Sequence, residues 1–178
     1  AIVLRPNVPA VDSISKAARN DLAGYYAHIE ATDAALGRLL DDLDEAAGDR
    51  PTAVFFMSDH GDMLGSHGLY KKTQPYEESI RIPLVVRWPG VTPAGAVSDA
   101  LVCELDIAPT LLRLLGLPVP DQMQGHDLTN IFHGRDVAGP EYVLLQHVDG
   151  LEHFDALTVP WRAIRTHHEM YGVTQNEE

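Results

Sequence analysis

Five consecutive residues, Ser58-Asp59-His60-Gly61-Asp62, set hard oxygen donors and an imidazole nitrogen around a glycine. Carboxylates and a neutral imidazole suit a divalent cation, and the glycine lets the backbone turn sharply enough for adjacent side chains to converge. Asp59 and His60 are therefore candidate metal ligands. On these five residues alone, an acidic glycine turn that binds nothing reads equally well.

The elements that must position this loop can be read from the flanks. Thr52 to Met57 is a continuous apolar run with β-branched and aromatic residues, expected as a strand buried on both faces of a parallel sheet covered by helices. The polar, glycine-rich stretch from Ser58 to Gly68 then begins beyond the carboxyl end of that strand, where ligands bind in open α/β sheets. Upstream, residues 1–12 are a Pro-rich lead-in. Leu22, Tyr25, Tyr26, Ile29, Leu36, Leu39, Leu40 and Leu43 recur at three- and four-residue steps, which predicts one long amphipathic helix over 13–47, capped by Asp12 or Ser13 and ended by Gly48-Asp49-Arg50-Pro51. Asp33 falls on its apolar stripe and is expected to bond a neighbouring loop. Downstream, Ile82 to Trp88 reads as a second strand and Ala100 to Cys103 as a short extended piece. A helix follows from Asp106, its expected N-cap, through Pro109 to a C-terminal Gly116. A short helical turn is expected near Asp127 to Phe132. Tyr142 to Gln146 and Trp161 to Thr166 read as strands, with Met170 to Val173 pairing back on the latter. The order predicts one α/β domain, a mostly parallel central sheet flanked by helices, over 1–178.

The formal net charge of −13 and the lack of any dense Lys/Arg run argue against nucleic-acid binding. An acidic chain repels anions at long range, so an anionic substrate would require a metal and a few placed cations. The single cysteine, Cys103, excludes an internal disulfide and reads as a small buried hydrophobe. No apolar run approaches the roughly 18 residues of a membrane span. The first residues do not read as a signal peptide.

The loop's continuation is more specific. Gly65-Ser66-His67-Gly68-Leu69-Tyr70-Lys71-Lys72 leads into Tyr76-Glu77-Glu78-Ser79-Ile80-Arg81-Ile82-Pro83-Leu84. Ser-Asp-His-Gly-Asp-Met-Leu-Gly-x-His-Gly, a lysine, then Tyr-Glu-Glu-Ser-x-Arg-x-Pro-Leu resembles the sulfatase family of the alkaline phosphatase superfamily. Tyr25-Tyr26 to Asp33, Leu105 to Gly116, Gly125 and Trp161 to Thr166 resemble it too. The resemblance implies an alkaline-phosphatase-like fold, incomplete at the N-terminus, and hydrolysis of a sulfate monoester, the substrate being a small-molecule or saccharide sulfate. Asp59 and His60 match the family's second pair of metal ligands, calcium being the first expectation and manganese or magnesium the others. Lys72 matches the lysine on the anionic ester group, a catalytic and substrate-binding role, and His67 lies in the loop that shapes the pocket. Ser66 stands where glutamate is common. Glu77, Glu78 and Arg81 are expected to form a structural ion-pair network. Many sulfatases carry asparagine in place of His60, and the Asp-His version also resembles phosphonate monoester hydrolases and choline-sulfatase-like enzymes, so a phosphonate or phosphodiester hydrolase is the neighbouring reading and a non-catalytic binding module the more distant one.

The family's nucleophile is a formylglycine made from Cys or Ser within Cys/Ser-x-Pro/Ala-x-Arg. Cys103 is followed by Glu104-Leu105-Asp106 and does not match. The nucleophile and the first pair of metal aspartates are expected before Ala1, so the isolated chain is expected to be catalytically silent, to hold metal weakly and to self-associate through an uncovered apolar face. His28, His126, His133, His147, His153, His167 and His168 match no motif and read as surface or packing residues, with His147, near Asp149 at a strand end, the one to compare with the structure.

Overall fold

The computed structural model describes residues 2–135, 137–148 and 159–174. The chain forms two compact units, Ala1–Val85 and Val86–Glu178.

In the first unit, helix α1 runs Asp12–Ala47, 36 residues and about 54 Å long at 1.5 Å per residue. Its N-cap is Val11, not Asp12 or Ser13, and no side chain caps it. Ser15 instead ties the first turn to the lead-in, its hydroxyl donating to the Pro9 carbonyl over 3.1 Å. At the other end Gly48 sits at φ 56 and donates to Asp44, while the Arg50 guanidinium donates to the carbonyls of Ala46 (2.8 Å) and Ala47 (3.3 Å). These partners satisfy last-turn carbonyls that the helix itself cannot. Ala18 and Leu22 are buried, but Tyr25, Tyr26, Ile29 and Leu39 are exposed. Asp33 is exposed as well. The expected bond from Asp33 to a buried neighbouring loop does not form among the described residues: the middle of the stripe is exposed, and cover returns only at Leu36, Leu40 and Leu43, which are half-buried, and at Ala47, which is buried.

Strand β1 (Val54–Met57) pairs with β2 (Leu84–Arg87) in a two-stranded sheet. β1 is half-buried and Phe56 is exposed, rather than buried on both faces. Two strands leave both outer edges unpaired, and no larger parallel sheet is formed among the described residues. A 3₁₀ turn, Ser66–Gly68, and a single helical turn α2, Glu77–Ile80, lie between the strands.

In the second unit, α3 spans Glu104–Leu114. Asp106 is its third residue, not its cap: the helix is capped by Cys103, whose N–H donates to the Asp106 carboxylate over 2.8 Å. That carboxylate is 2% exposed and also accepts from the His126 N–H (2.7 Å) and ring Nδ1 (3.2 Å), which fastens the 125–128 loop onto the helix. Thr110 completes the clasp, its hydroxyl donating to the His126 carbonyl and accepting from the Leu128 N–H. Pro109 lies in the second turn and leaves the Leu105 carbonyl without its helical donor. Gly125 packs against that carbonyl so closely that a Cβ would sit 1.9 Å from its oxygen. Gly116, at φ 70, ends the helix as expected. A short helix α4 (Thr129–Phe132) follows, and β3 (Val143–His147), β4 (Trp161–Arg165) and β5 (Met170–Thr174) form an antiparallel sheet in that order. Leu145 pairs with Ala163 and Ala163 with Gly172; Leu144, Ile164 and Tyr171 make the adjacent, exposed row. Ala100 to Cys103 joins no sheet.

Candidate functional site

The Ser58–Thr73 loop leaves the carboxyl end of β1, and its local chemistry is ordered. Ser58 turns its hydroxyl back to donate to the His60 carbonyl over 2.7 Å. Asp59 Oδ1 accepts the next N–H, that of His60, over 3.0 Å. His60 Nδ1 lies 2.8 Å from the Gly61 carbonyl. A carbonyl only accepts, so Nδ1 carries a proton, and the neutral ring would present a lone pair at Nε2. That nitrogen lies 3.6 Å from Asp59 Oδ2. The structure thus places Asp59 and His60 side by side, with a carboxylate oxygen and an imidazole nitrogen facing one another. Two acceptors at this distance repel unless a cation or a proton lies between them. A backbone carbonyl that fixes the tautomer of a ligating histidine is the arrangement metal sites use. The donor set therefore fits a divalent ion, although no group of three or more His, Cys, Asp or Glu side chains gathers among the described residues.

The fold of the loop depends on close backbone approach. Gly61 donates to the Ser79 carbonyl over 2.8 Å, and a Cβ on Gly61 would stand 2.0 Å from the Glu78 carbonyl oxygen. Asp62 is used in a turn: its Oδ1 accepts the Leu64 N–H over 2.9 Å. Met63 is fully buried and donates to the Lys71 carbonyl, and Gly65 donates to Leu69. Leu64, His67, Lys71 and Thr73 all have positive φ, a conformation that non-glycine residues populate sparsely and that clusters at functional segments.

His67 sits at φ 55 with its ring stacked on Tyr76 at 4.2 Å. Its N–H donates to the Asn7 carbonyl over 2.9 Å, and its Nε2 lies 3.1 Å from Asn7 Nδ2. Lys72 is exposed. The expected network of Glu77, Glu78 and Arg81 divides. Arg81 meets Glu77 at 3.9 Å in an exposed pair worth little, whereas Glu78 accepts from Asn7 Nδ2 over 2.6 Å. Burial pushes the Glu78 carboxyl up, but hydrogen bonds from Asn7, its own backbone and Ser66, with the charge of Arg5, outweigh this and hold it below its ordinary value. Arg5 also donates to the Met63 carbonyl and to the buried Ser66 hydroxyl. Sequence reasoning missed Arg5 and Asn7; their signal was two polar residues set among the prolines of the lead-in.

It also passed over Ser15-Lys16-Ala17-Ala18-Arg19, which spells Ser-x-Ala-x-Arg. This run lies within α1, and the Ser15 hydroxyl is engaged with Pro9. Cys103 is half-buried, and burial pushes its thiol up. His147 lies beside Trp161 and His133 bonds the Val91 carbonyl. Asp149 and His153 lie outside the described residues.

Residues 6–117 match the family model for sulfatases. Over 98% of its length the chain is 35% identical to an ulvan-active sulfatase from Formosa agariphila, covering 34% of that protein. A solved structure in complex with its substrate D-glucosamine-2-N,6-O-disulfate superposes with a TM-score of 0.79 at 26% identity, over 94% of this chain and 36% of the other. The phosphonate monoester hydrolase of Agrobacterium radiobacter superposes with a TM-score of 0.73 at 26% identity, over 84% and 32%. The chain spans about a third of the length of these proteins.

Proposed function

Because the chain belongs to the sulfatase family of the alkaline phosphatase superfamily, we propose that the whole protein hydrolyses a sulfate monoester, with Asp59 and His60 supplying part of a divalent-metal site. The observation that carries this reading is the placement of His60, whose Nδ1 lies against the Gly61 carbonyl while Nε2 faces Asp59 Oδ2 at 3.6 Å. A bound ion would neutralise the sulfate oxygens and orient attack on sulfur. Calcium is the proposed ion, with manganese and magnesium the alternatives to titrate.

The chain's own residues have three tasks. Asp59 and His60 hold the ion, each oriented by a local backbone bond. Lys72 brings an exposed ammonium to the ester anion, where it stabilises charge developing on the leaving oxygen. His67, stacked on Tyr76, shapes the wall of the pocket. The Ser15 to Arg19 run spells the nucleophile's motif but lies in α1 with the Ser15 hydroxyl engaged by Pro9, so the formylglycine nucleophile is assigned to the remainder of the protein. A sulfated saccharide is the proposed substrate class, supported by similarity to the ulvan-active enzyme and to the glucosamine-disulfate complex. We further infer that both units belong to one α/β domain, and that β1 and β2 are members of a mostly parallel central sheet there, whose neighbours would cover Phe56.

A phosphonate monoester hydrolase is the second reading, favoured by His60 and by the superposition on the Agrobacterium radiobacter enzyme. The test is a paired assay of the whole enzyme on 4-nitrophenyl sulfate and a phenylphosphonate monoester. Higher kcat/KM on the sulfate, lost in D59A and K72A with the fold intact, is expected. Preference for the phosphonate would select the second reading, and unchanged turnover in D59A would reject the metal role.

A further inference from the structure

The segment from Leu64 to Thr73 holds four non-glycine residues at positive φ: Leu64 at 46°, His67 at 55°, Lys71 at 65° and Thr73 at 80°. Such a segment does not hold this shape by local preference, since each position is sparsely populated by L-residues. Two backbone rungs, Met63 to Lys71 and Gly65 to Leu69, close it into a hairpin. The first rung matters for chemistry: it couples a residue four after Asp59 to the residue before Lys72. Whatever fixes this hairpin therefore constrains the backbone that carries Lys72 relative to the backbone that carries Asp59 and His60.

Asn7 grips the hairpin from outside. Its carbonyl accepts the His67 N–H over 2.9 Å, and its amide Nδ2 lies 3.1 Å from His67 Nε2 and 2.6 Å from Glu78 Oε1. An amide nitrogen has two protons, so both contacts are satisfied together if His67 accepts at Nε2 and carries its own proton on Nδ1. Glu78, as a carboxylate, accepts only; it excludes the flipped amide, which would set oxygen against oxygen. The cost is visible, because the buried Oδ1 of Asn7 has no hydrogen-bond partner. A buried acceptor left unpaired is unfavourable, so this amide pose is imposed by Glu78 and His67 and is not the best arrangement for Asn7 itself.

We propose that Asn7, oriented by Glu78, is a positioning residue for the hydrolysis reaction: it holds His67 in its left-handed conformation and thereby places Lys72 at the ester anion. The inference rests on the proposed role of Lys72 and extends it to a residue some sixty positions away in sequence. Neither Asn7 nor Glu78 is assigned contact with substrate.

The experiment is a double-mutant cycle in the whole enzyme, measuring kcat and KM on 4-nitrophenyl sulfate for N7A, K72A and the double variant, with melting curves to show that each is folded. Misplacing a charged group by about 1 Å costs up to roughly a hundredfold in rate, so N7A should lose up to that factor. On the K72A background the same substitution should cost nothing further, because its effect passes through Lys72. Equal losses on both backgrounds would overturn the proposal and leave Asn7 a merely structural residue, as would wild-type turnover in N7A. Unchanged turnover in K72A would instead reject the reading of Lys72 and remove the basis of the inference with it. E78Q, which keeps an acceptor, should rescue the loss seen in E78A; equal losses in both would count against it. N7D supplies an independent readout if N7A folds poorly. Its new carboxylate would stand against Glu78, with Arg5 and His67 the other charged or titratable groups nearby, and two adjacent carboxylates cannot both ionise readily. Activity in N7D should persist on the acid side, where the pair shares a proton that can stand in for the amide N–H, and fall as pH rises. A pH profile parallel to that of the wild type would overturn the proposal.

Discussion

Replacing Gly61 with alanine tests how far the proposed metal half-site depends on a single backbone contact. The added Cβ would stand 2.0 Å from the Glu78 carbonyl oxygen and 3.0 Å from its carbon. Neither neighbour is a flexible side-chain end. To reach even a 3.0 Å separation, the loop or α2 must retreat by about 1 Å, which strains the Gly61–Ser79 hydrogen bond now at 2.8 Å. Forced overpacking costs about 1–3 kcal/mol and a lost hydrogen bond about 1 kcal/mol, so G61A should destabilise the first unit by roughly 2–4 kcal/mol. The adjacent Asp59 and His60 should move with it, and a 1 Å error at a reacting centre costs up to about a hundredfold in turnover. Urea unfolding followed by circular dichroism reads the first effect, and kcat/KM of the whole enzyme on 4-nitrophenyl sulfate reads the second. Gly37, in the middle of α1, is the internal control, since a Cβ there would meet nothing within 4 Å; G37A should stabilise by about 0.5–1 kcal/mol through helix propensity. If G61A matched G37A in both stability and turnover, the close approach to Glu78 would not control the loop.

D106A should cost about 3 kcal/mol, since it strips the carboxylate from three N–H donors around a buried oxygen pair, while D106N, keeping one acceptor oxygen, should cost less; equal unfolding midpoints for the two would contradict the clasp. Glu78, whose carboxyl lies below its ordinary 4.5, contributes stability that is fully present above that value and lost as pH falls through its lower folded value; E78Q should therefore flatten the acid limb of the stability curve, and an unchanged limb would show that Glu78 does not carry it. Cys103, half-buried with its thiol pushed up by burial, should label with a maleimide at neutral pH far more slowly than free cysteine, and equal rates would show it to be accessible. The isolated chain should show no aryl-sulfate turnover with calcium, magnesium or manganese and only weak calorimetric metal binding, because a hard cation wants about six donors; sub-micromolar affinity lost in D59A would refute that count.

Much of the fold was legible because its signals are local. The three- and four-residue spacing of apolar side chains predicted α1 to within one residue at its start, and Gly116 marked the end of α3 because only glycine takes φ 70 readily there. The strands of the second unit were legible as apolar runs, and the pairing of Met170 to Val173 back on Trp161 to Thr166 is borne out by β4 and β5. Caps were less legible. Asp106 was read as the N-cap because aspartate favours that position, but the same side chain bonds the cap's N–H from three residues inside the helix, and composition does not separate these two placements. Burial was least legible. Tyr25, Tyr26 and Ile29 carry an apolar pattern that would suit a core, yet lie exposed, because a pattern states which face would pack and not whether a partner is present.

The same division separates what could be read of the site. Asp59 and His60 are adjacent in sequence, so a strand followed by a glycine turn suffices to bring their side chains within 3.6 Å of each other. Asn7 and Glu78 are 71 residues apart yet 2.6 Å apart in space; neither has a neighbour that signals the contact. Glu78 was drawn instead toward Arg81, three positions on, since charge spacing along a helix is visible in sequence. The helical turn that carries them is only Glu77 to Ile80, and its geometry gives Arg81 to Glu77 while leaving Glu78 turned toward the lead-in. What decided between the two partners was the position of a proline-rich lead-in that has no periodicity of its own. A residue of that kind is reachable from sequence only through its oddity: an amide between two prolines, where nothing local requires one.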